Sequence, residues 1–291
     1  MSDMQGELAH ASYADILKSG EGILEEAGVP EPRANAWYLF SHCFHMDRSR
    51  FFLHRDEYAD VHCIKEYKES LARRSERVPL EHIIQGTEFM GLPFYVNRHV
   101  LVPRQDTECV VEEALKYCAG KSVLDLCTGS GCIGISLAVL GNCREVTLAD
   151  ISSEALEVAK RNAKENDVDV TFVESDLFSR ITGRYDLIVS NPPYIASGEI
   201  PGLMPEVRDY DPLLALDGGE DGLLFYRKII QESCYYLTEE GQLCFEIGCG
   251  QGNSVRELME QQGFVQVEIR QDLAGLDRVV LGRRRQTCLI N

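Results

Sequence analysis

Positive charge, long apolar runs and paired cysteine motifs are scarce in this chain. Of its 291 residues, 29 are Lys or Arg and 47 are Asp or Glu, a formal net charge of -18. So acidic a surface repels phosphate backbones; no direct nucleic-acid partner is expected, while a basic protein partner is compatible. No apolar run approaches the ~18 residues that mark a bilayer span, so no membrane contact is expected. The opening MSDMQGELAH lacks the basic and apolar pattern of a secretory leader. The 11 cysteines include no Cys-x-x-Cys pair, and most lie in apolar runs, as Cys127, Cys132 and Cys244 do. Reduced, buried thiols in the cytoplasm are the expectation, with no metal site. Internal repeats and low-complexity tracts are also absent.

What is present fits a folded protein: 44% apolar and 26% charged residues, with length for one large domain and one small one. Helical patterns dominate before residue 80: one around Tyr13, Ile16, Leu17, Ile23 and Leu24, one begun by Pro32 at its first turn, and one over ADVHCIKEYKESLARRSER. These define a helical unit over residues 1–78. His42 and His45 sit three apart there, a spacing that shares one helix face, but without further ligands packing or surface roles are expected. Gly86, Gly91 and Pro93 punctuate short β-type runs, so residues 79–105 read as a hairpin linker. Over 106–291, strands such as SVLDLC, EVTLAD, YDLIVSN and GQLCFEIG alternate with helices. The fold class is α/β: a seven-stranded, mostly parallel, doubly wound sheet of five strands with helical crossovers and a terminal antiparallel hairpin.

LDLCTGSGCIG follows the first of these strands and opens a helix. Gly129, Gly131 and Gly134 match GxGxxG, and Asp150 ends the next strand, 19 residues after Gly131. Glycines permit close backbone approach to a nucleotide-type ligand, and a carboxylate at that spacing accepts from ribose hydroxyls. The plainer reading is a tight turn with a surface aspartate. NAD would seat its pyrophosphate on the helix N-terminus. Asp125, just before the glycines, suits a cationic ligand better, such as the sulfonium of S-adenosylmethionine. In ESDLF, Asp176 can accept from an adenine amino group and Leu177 can pack on the ring; alone, Asp176 reads equally as a cap or turn residue.

The strand YDLIVSN ends in Asn191, Pro192, Pro193 and Tyr194. In an open parallel sheet, ligands lie beyond the strands' carboxyl ends. One proline suffices to stop a strand; two stiffen the turn, because proline lacks an N–H, fixes φ and restricts its predecessor. A stiff turn can aim the Asn191 side-chain oxygen and the Pro192 carbonyl at one NH2 group, with Tyr194 as a flat face beside it. An amide nitrogen is a poor nucleophile; hydrogen bonds to two carbonyl oxygens raise its electron density and aim it for in-line methyl transfer.

At these motifs the chain resembles a known family. NPPY after such a glycine loop is shared by amino-methyltransferases acting on adenine or glutamine. VPLEHIIQGTEFMGLPFYVNRHVLVPRQDTE, VRDYDPLLALDGGEDGLLFYRKII, FEIGCGQG and DRVVLGR are similar to the protein-(glutamine-N5) methyltransferases that modify peptide chain release factors, the PrmC/HemK family. The likeness covers nearly the whole chain and is strongest over residues 78–285; the N-terminal unit agrees in layout more than in motif. It implies a helical bundle for substrate recognition, a β-hairpin linker and a class I, Rossmann-like methyltransferase domain. It also implies an S-adenosyl-L-methionine site, with S-adenosyl-L-homocysteine as product, lined by Cys127, Thr128, Gly129, Ser130, Gly131, Asp150 and Asn191; Asp125, Ile151, Asp176 and Leu177 complete the candidate cofactor-binding set. Asn191, Pro192, Pro193 and Tyr194 would hold the glutamine of the release factor's Gly-Gly-Gln loop, with Asn191, Pro192 and Tyr194 catalytic. A monomer is expected. Two positions depart from the family pattern: Cys127 where glycine is common, and Leu177 where a tryptophan occurs. Arg104, Thr107 and Glu108 in PRQDTE lie where the linker meets the site, and this form favours the release-factor enzyme over the ribosomal-protein glutamine methyltransferase. A DNA adenine methyltransferase is opposed by the acidic charge, an NAD-dependent oxidoreductase leaves NPPY unexplained, and a non-catalytic adaptor would bind no cofactor.

Overall fold

Ser12, Asp47 and Asp60 each start a helix by accepting a backbone N–H: from Asp15 at 3.2 Å, Arg50 at 2.7 Å and His62 at 2.8 Å. The computed structural model describes residues 11–285, so MSDMQGELAH and Cys288 lie outside the described residues. The described chain divides into two compact units, residues 11–85 with Pro205–Tyr210, and residues 86–204 with 211–285.

The first unit contains α1 (Tyr13–Glu26), α2 (Pro32–Phe44), α3 (Arg48–His54), α4 (Val61–Ser75) and α5 (Leu80–Ile84). Their inner faces meet on aromatic rings. Phe40 lies 4.5 Å from Phe44 and 5.4 Å from Phe51 between centroids, and the buried Tyr67 donates its hydroxyl to the Ala36 carbonyl at 3.2 Å. Burying each such ring contributes roughly 2–3 kcal/mol. The linker read from residue 79 begins as a helix instead. His82 and Ile83 are buried and α5 packs on the bundle, so chain that reads as turn-rich has an apolar face to cover. The sequence reading also gave no sign that Pro205–Tyr210 returns to this unit, where Glu206 accepts from Arg74 and Arg77.

In the second unit β1 (Thr87–Phe89) and β2 (Leu92–Phe94) form an antiparallel hairpin. Then follow α6 (Gln105–Leu115), β3 (Ser122–Leu126), α7 (Cys132–Leu140), β4 (Glu145–Asp150), α8 (Ser153–Glu165), β5 (Thr171–Glu174), β6 (Tyr185–Ser190), α9 (Leu224–Tyr236), β7 (Leu237–Glu246), α10 (Gly252–Gln261), β8 (Val265–Gln271) and β9 (Asp277–Arg283). The seven strands β3 to β9 make one sheet in the order β5-β4-β3-β6-β7-β9-β8. β3 to β7 run parallel, and β9 runs antiparallel to both neighbours, as expected of strands joined by so short a segment. All five residues of β3 are buried, which fits a parallel strand covered on both faces. One crossover differs from the sequence reading: β5 reaches β6 through residues 175–184 without a regular helix. Strand order reverses at β3, with β4 on one side and β6 on the other, so the crevice above their carboxyl ends is the topological switch point.

Candidate active site

A cavity of about 250 Å³ opens at this switch point. Leu126 to Ser130 from the end of β3, Ala149 to Ser152 from the end of β4, Ser175 to Leu177 after β5, and Asn191 with Pro193 after β6 line it. The glycine loop turns sharply: Cys127, Gly129 and Gly131 have φ of +59°, +55° and +82°. At Gly131 a Cβ would also lie 2.7 Å from Ile135 Cδ1 and 3.2 Å from Ala159 Cβ, so the turn excludes larger residues by conformation and by space.

Asp125 is fully buried and does not line the cavity. Its Oδ2 accepts from Thr128 Oγ1 at 2.5 Å and from the Gly134 N–H at 2.9 Å, bracing the loop from behind. The expectation that Asp125 faces a cationic ligand is therefore corrected. The reason is strand alternation: Leu126 points toward the cavity, and its neighbour points to the α7 side. Burial raises the Asp125 carboxyl to about 7 against those two hydrogen bonds, with Asp150 adding to the rise. Gly131 likewise shapes the turn without lining the cavity.

Asp150 lines the cavity, and its carboxylate is fixed on both sides. Oδ2 accepts from the Gly129 N–H at 2.8 Å and Oδ1 from the Ser152 N–H at 2.9 Å. Burial raises its pKa, opposed by these bonds. Each oxygen keeps a lone pair for a ligand hydroxyl. Asp176 lies exposed on the wall beside buried Leu177, whose φ is +46°. Ile151, 48% exposed, forms part of the rim.

β6 ends where the Ser190 hydroxyl donates to the Leu126 carbonyl at 2.7 Å. The Asn191 side chain, on the cavity wall, makes no hydrogen bond with any described residue, so its oxygen is available to a ligand; the Pro192 carbonyl makes none either, but Pro192 is buried and is not brought to the cavity wall. Asn191 and Pro193 line the cavity; Pro192 and Tyr194 stand behind it. Past the prolines the chain is zipped to residues 216–219: Ile195 N–H donates to Leu216 O at 3.0 Å and Gly218 N–H to Ile195 O at 2.8 Å. The Tyr194 hydroxyl donates to Glu246 Oε1 at 3.4 Å.

Glu246 was not singled out from sequence. It ends β7, is 2% exposed and has Oε2 without a hydrogen-bond partner among the described residues. Burial raises its carboxyl to about 7, against hydrogen bonds from Thr107 and Tyr194 and the charge of Arg278. The wall built by His99 to Pro103 and by Pro212, Leu214, Ala215, Phe225 and Lys228 was also missed. No local pattern marks these residues; long-range folding brings them in. Thr107 of PRQDTE does line the cavity, whereas Arg104 pairs with Asp211 at 3.7 Å and Glu108 accepts the Met90 N–H at 2.7 Å. His42 and His45 are exposed, and no cluster of three or more metal-ligating side chains occurs among the described residues. Nor is any helix among them long and apolar enough to cross a membrane.

Comparison with known proteins supplies the context. Residues 106–203 match the family model of the methyltransferase small domain, and residues 15–84 that of the PrmC N-terminal domain. A release factor glutamine methyltransferase of Clostridium acetobutylicum is 39% identical over 278 residues, 93% of this chain and 98% of its own length. One of Geobacter sulfurreducens is 40% identical over 270 residues, 92% of this chain and 95% of its own. Among solved structures, a methyltransferase of Pyrococcus furiosus shares the fold with a TM-score of 0.53 at 19% identity, over 68% of this chain and 91% of that one. A Thermus thermophilus 16S rRNA methyltransferase in complex with AdoMet and guanosine gives 0.51 at 18%, over 69% of this chain and 50% of that one. At such identities these two speak for the fold alone. The full-length relatives speak for more: the chain is a methyltransferase and belongs to the release factor glutamine methyltransferase family.

Proposed function

We propose that this protein transfers a methyl group from S-adenosyl-L-methionine to the side-chain amide nitrogen of the glutamine in the Gly-Gly-Gln loop of peptide chain release factors. The observation that carries the reading is the meeting of Asn191 and Asp150 on one cavity. One marks an acceptor site for an NH2 group, the other a site for a ribose.

The residues fit the cofactor. Asp150 offers fixed oxygens to ribose hydroxyls, Asp176 and Leu177 offer an acceptor and an apolar face to a base, and the Gly129 turn leaves room for close approach. A dinucleotide fits less well. The Gly134 N–H, in the first turn of α7, is held by Asp125, whose carboxyl group stands at the helix end where a pyrophosphate would seek donors. When bound, the cofactor supplies an electrophilic methyl group on a sulfonium.

The chain's own residues do the rest. Asn191 Oδ1 and the Pro192 carbonyl accept the two hydrogens of the glutamine NH2 and aim its lone pair at the cavity. Held so, the amide nitrogen would be placed to take the methyl group that the bound cofactor supplies, and the proton it would then lose would leave afterwards, so no base is needed beforehand. Orientation supplies most of the rate. Labelled-methyl transfer into purified release factor tests this: the wild type incorporates label, and Asn191→Ala loses at least about 100-fold in turnover while keeping its fold by circular dichroism. A near wild-type rate for Asn191→Ala would sink the mechanism. Label entering ribosomal proteins in place of release factor would shift the substrate to that alternative.

A further inference from the structure

Gln251 opens α10, and none of its roles follows from the cofactor or acceptor sites just described. Both ends of its side-chain amide are engaged. Nε2 donates to the Tyr194 carbonyl at 2.9 Å and to the Gly222 carbonyl at 3.2 Å. Oε1 accepts from the Gly248 N–H at 3.0 Å. An amide has two donors, so one side chain ties the Tyr194 and Gly222 stretches to its own turn. Tyr226 gives its single proton to the Glu246 carbonyl at 2.8 Å, and its oxygen lies 3.5 Å from Gln251 Oε1 as a polar contact.

The surrounding backbone is built to this one side chain. A Cβ at Gly222 would lie 2.4 Å from the Tyr194 oxygen and 2.7 Å from Gln251 Nε2. A Cβ at Gly218 would lie 2.7 Å from Tyr194 Cα. The loop therefore closes on the Tyr194 backbone to a distance that only glycines allow. Tyr194 is two residues past Pro192, whose carbonyl is free, so whatever fixes the Tyr194 carbonyl fixes the far end of the stiff turn.

We propose that Gln251 is the positioning residue of the acceptor site: a three-bond latch that sets the Asn191 and Pro192 oxygens through the backbone of Tyr194. This rests on the methyltransferase reading above. Gln251 does not line the cavity, so it acts on turnover and not on cofactor binding. A glutamate there keeps the shape and both acceptors but replaces the donating NH2 with an oxygen facing two carbonyls. Alanine removes all three bonds.

The experiment compares wild type, Gln251→Glu and Gln251→Ala in two measurements. Methyl transfer to release factor should fall roughly 10- to 100-fold in kcat for Gln251→Glu, with the calorimetric Kd for S-adenosylmethionine within about 3-fold of wild type. Amide hydrogen exchange followed by mass spectrometry, which needs no substrate, should quicken at least about 10-fold in residues 194–197 and 218–222, while β3 and β4 stay protected. Gln251→Ala should show the same pattern. Unchanged exchange in those segments overturns the latch, and so does a fall in kcat matched by an equal loss of cofactor affinity. A wild type inactive on release factor overturns the functional reading instead, and the exchange measurement then decides the latch by itself.

Discussion

Glu246 is a carboxyl whose surroundings favour its neutral form. It is buried at the end of β7, with one oxygen toward Tyr194 and the other without a partner among the described residues. A carboxyl raised from its ordinary 4.5 to about 7 binds its proton more tightly folded than unfolded. Its contribution is present below the ordinary range and is lost as pH rises through about 7. Glu246→Gln removes that titration. The variant should gain stability relative to wild type as pH goes from 4 to 8, by roughly 1–3 kcal/mol, read by urea denaturation at each pH. A constant difference across the range would show that Glu246 does not titrate there. Single residues were also where the sequence was least legible. Spacing placed Asp150 and Asn191 at strand ends, and they do line one cavity. Spacing did not tell which way Asp125 points, and nothing near Glu246 or Gln251 in the chain marks them. Their roles come from residues about 50 positions away: Tyr194 bonds to both.

Among elements, the packing of α7 on β4 leaves room for no side chain at Gly134. A Cβ at Gly134 would lie 2.0 Å from Leu148 Cδ2 and 3.0 Å from Asp125 Oδ2. In an open helix, glycine to alanine contributes about 1 kcal/mol of stability. Here overpacking costs typically 1–3 kcal/mol and displaces the carboxylate that holds the loop. Gly134→Ala should therefore be destabilised by about 1 kcal/mol and bind S-adenosylmethionine more weakly. A urea midpoint at or above that of wild type would contradict the packing argument. Elements were the most legible scale. Alternation of strand and helix runs gave the parallel sheet, and a connection too short for a crossover gave the antiparallel end. What eluded the pattern were short elements whose cause is tertiary. Residues 80–84 coil into a helix because Ile83 has a core to enter, and residues 175–184 cross between strands with no helix.

For the molecule as a whole, one segment stitches distant sequence together. Pro205–Tyr210 leaves the second unit's sequence and joins the first, where Glu206 meets Arg74 and Arg77 at 2.8 and 2.6 Å. Burial pushes the Glu206 carboxyl up, and the bonds from Arg77 and Arg74 more than reverse this, to about 2. Such a group stabilises above its ordinary range and loses this as pH falls toward 2. Glu206→Gln leaves the Arg74 charge, 6% exposed, without its carboxylate. The expected cost is roughly 1–3 kcal/mol at pH 7, reduced from a fully buried pair by the exposure of Arg77. Thermal denaturation should show that difference at pH 7 and its decline between about pH 4.5 and 2; equal melting at pH 7 would mean the pair contributes nothing.

The most direct measurement is peptide mass spectrometry of release factor and ribosomal proteins after incubation with this protein and S-adenosylmethionine. The site geometry predicts one added methyl group on the Gly-Gly-Gln peptide of release factor, located by fragmentation on the glutamine side chain, and none with Asn191→Ala. A methyl group on ribosomal proteins alone, or on release factor at another residue, would contradict the assignment of the Asn-Pro-Pro-Tyr turn to that glutamine.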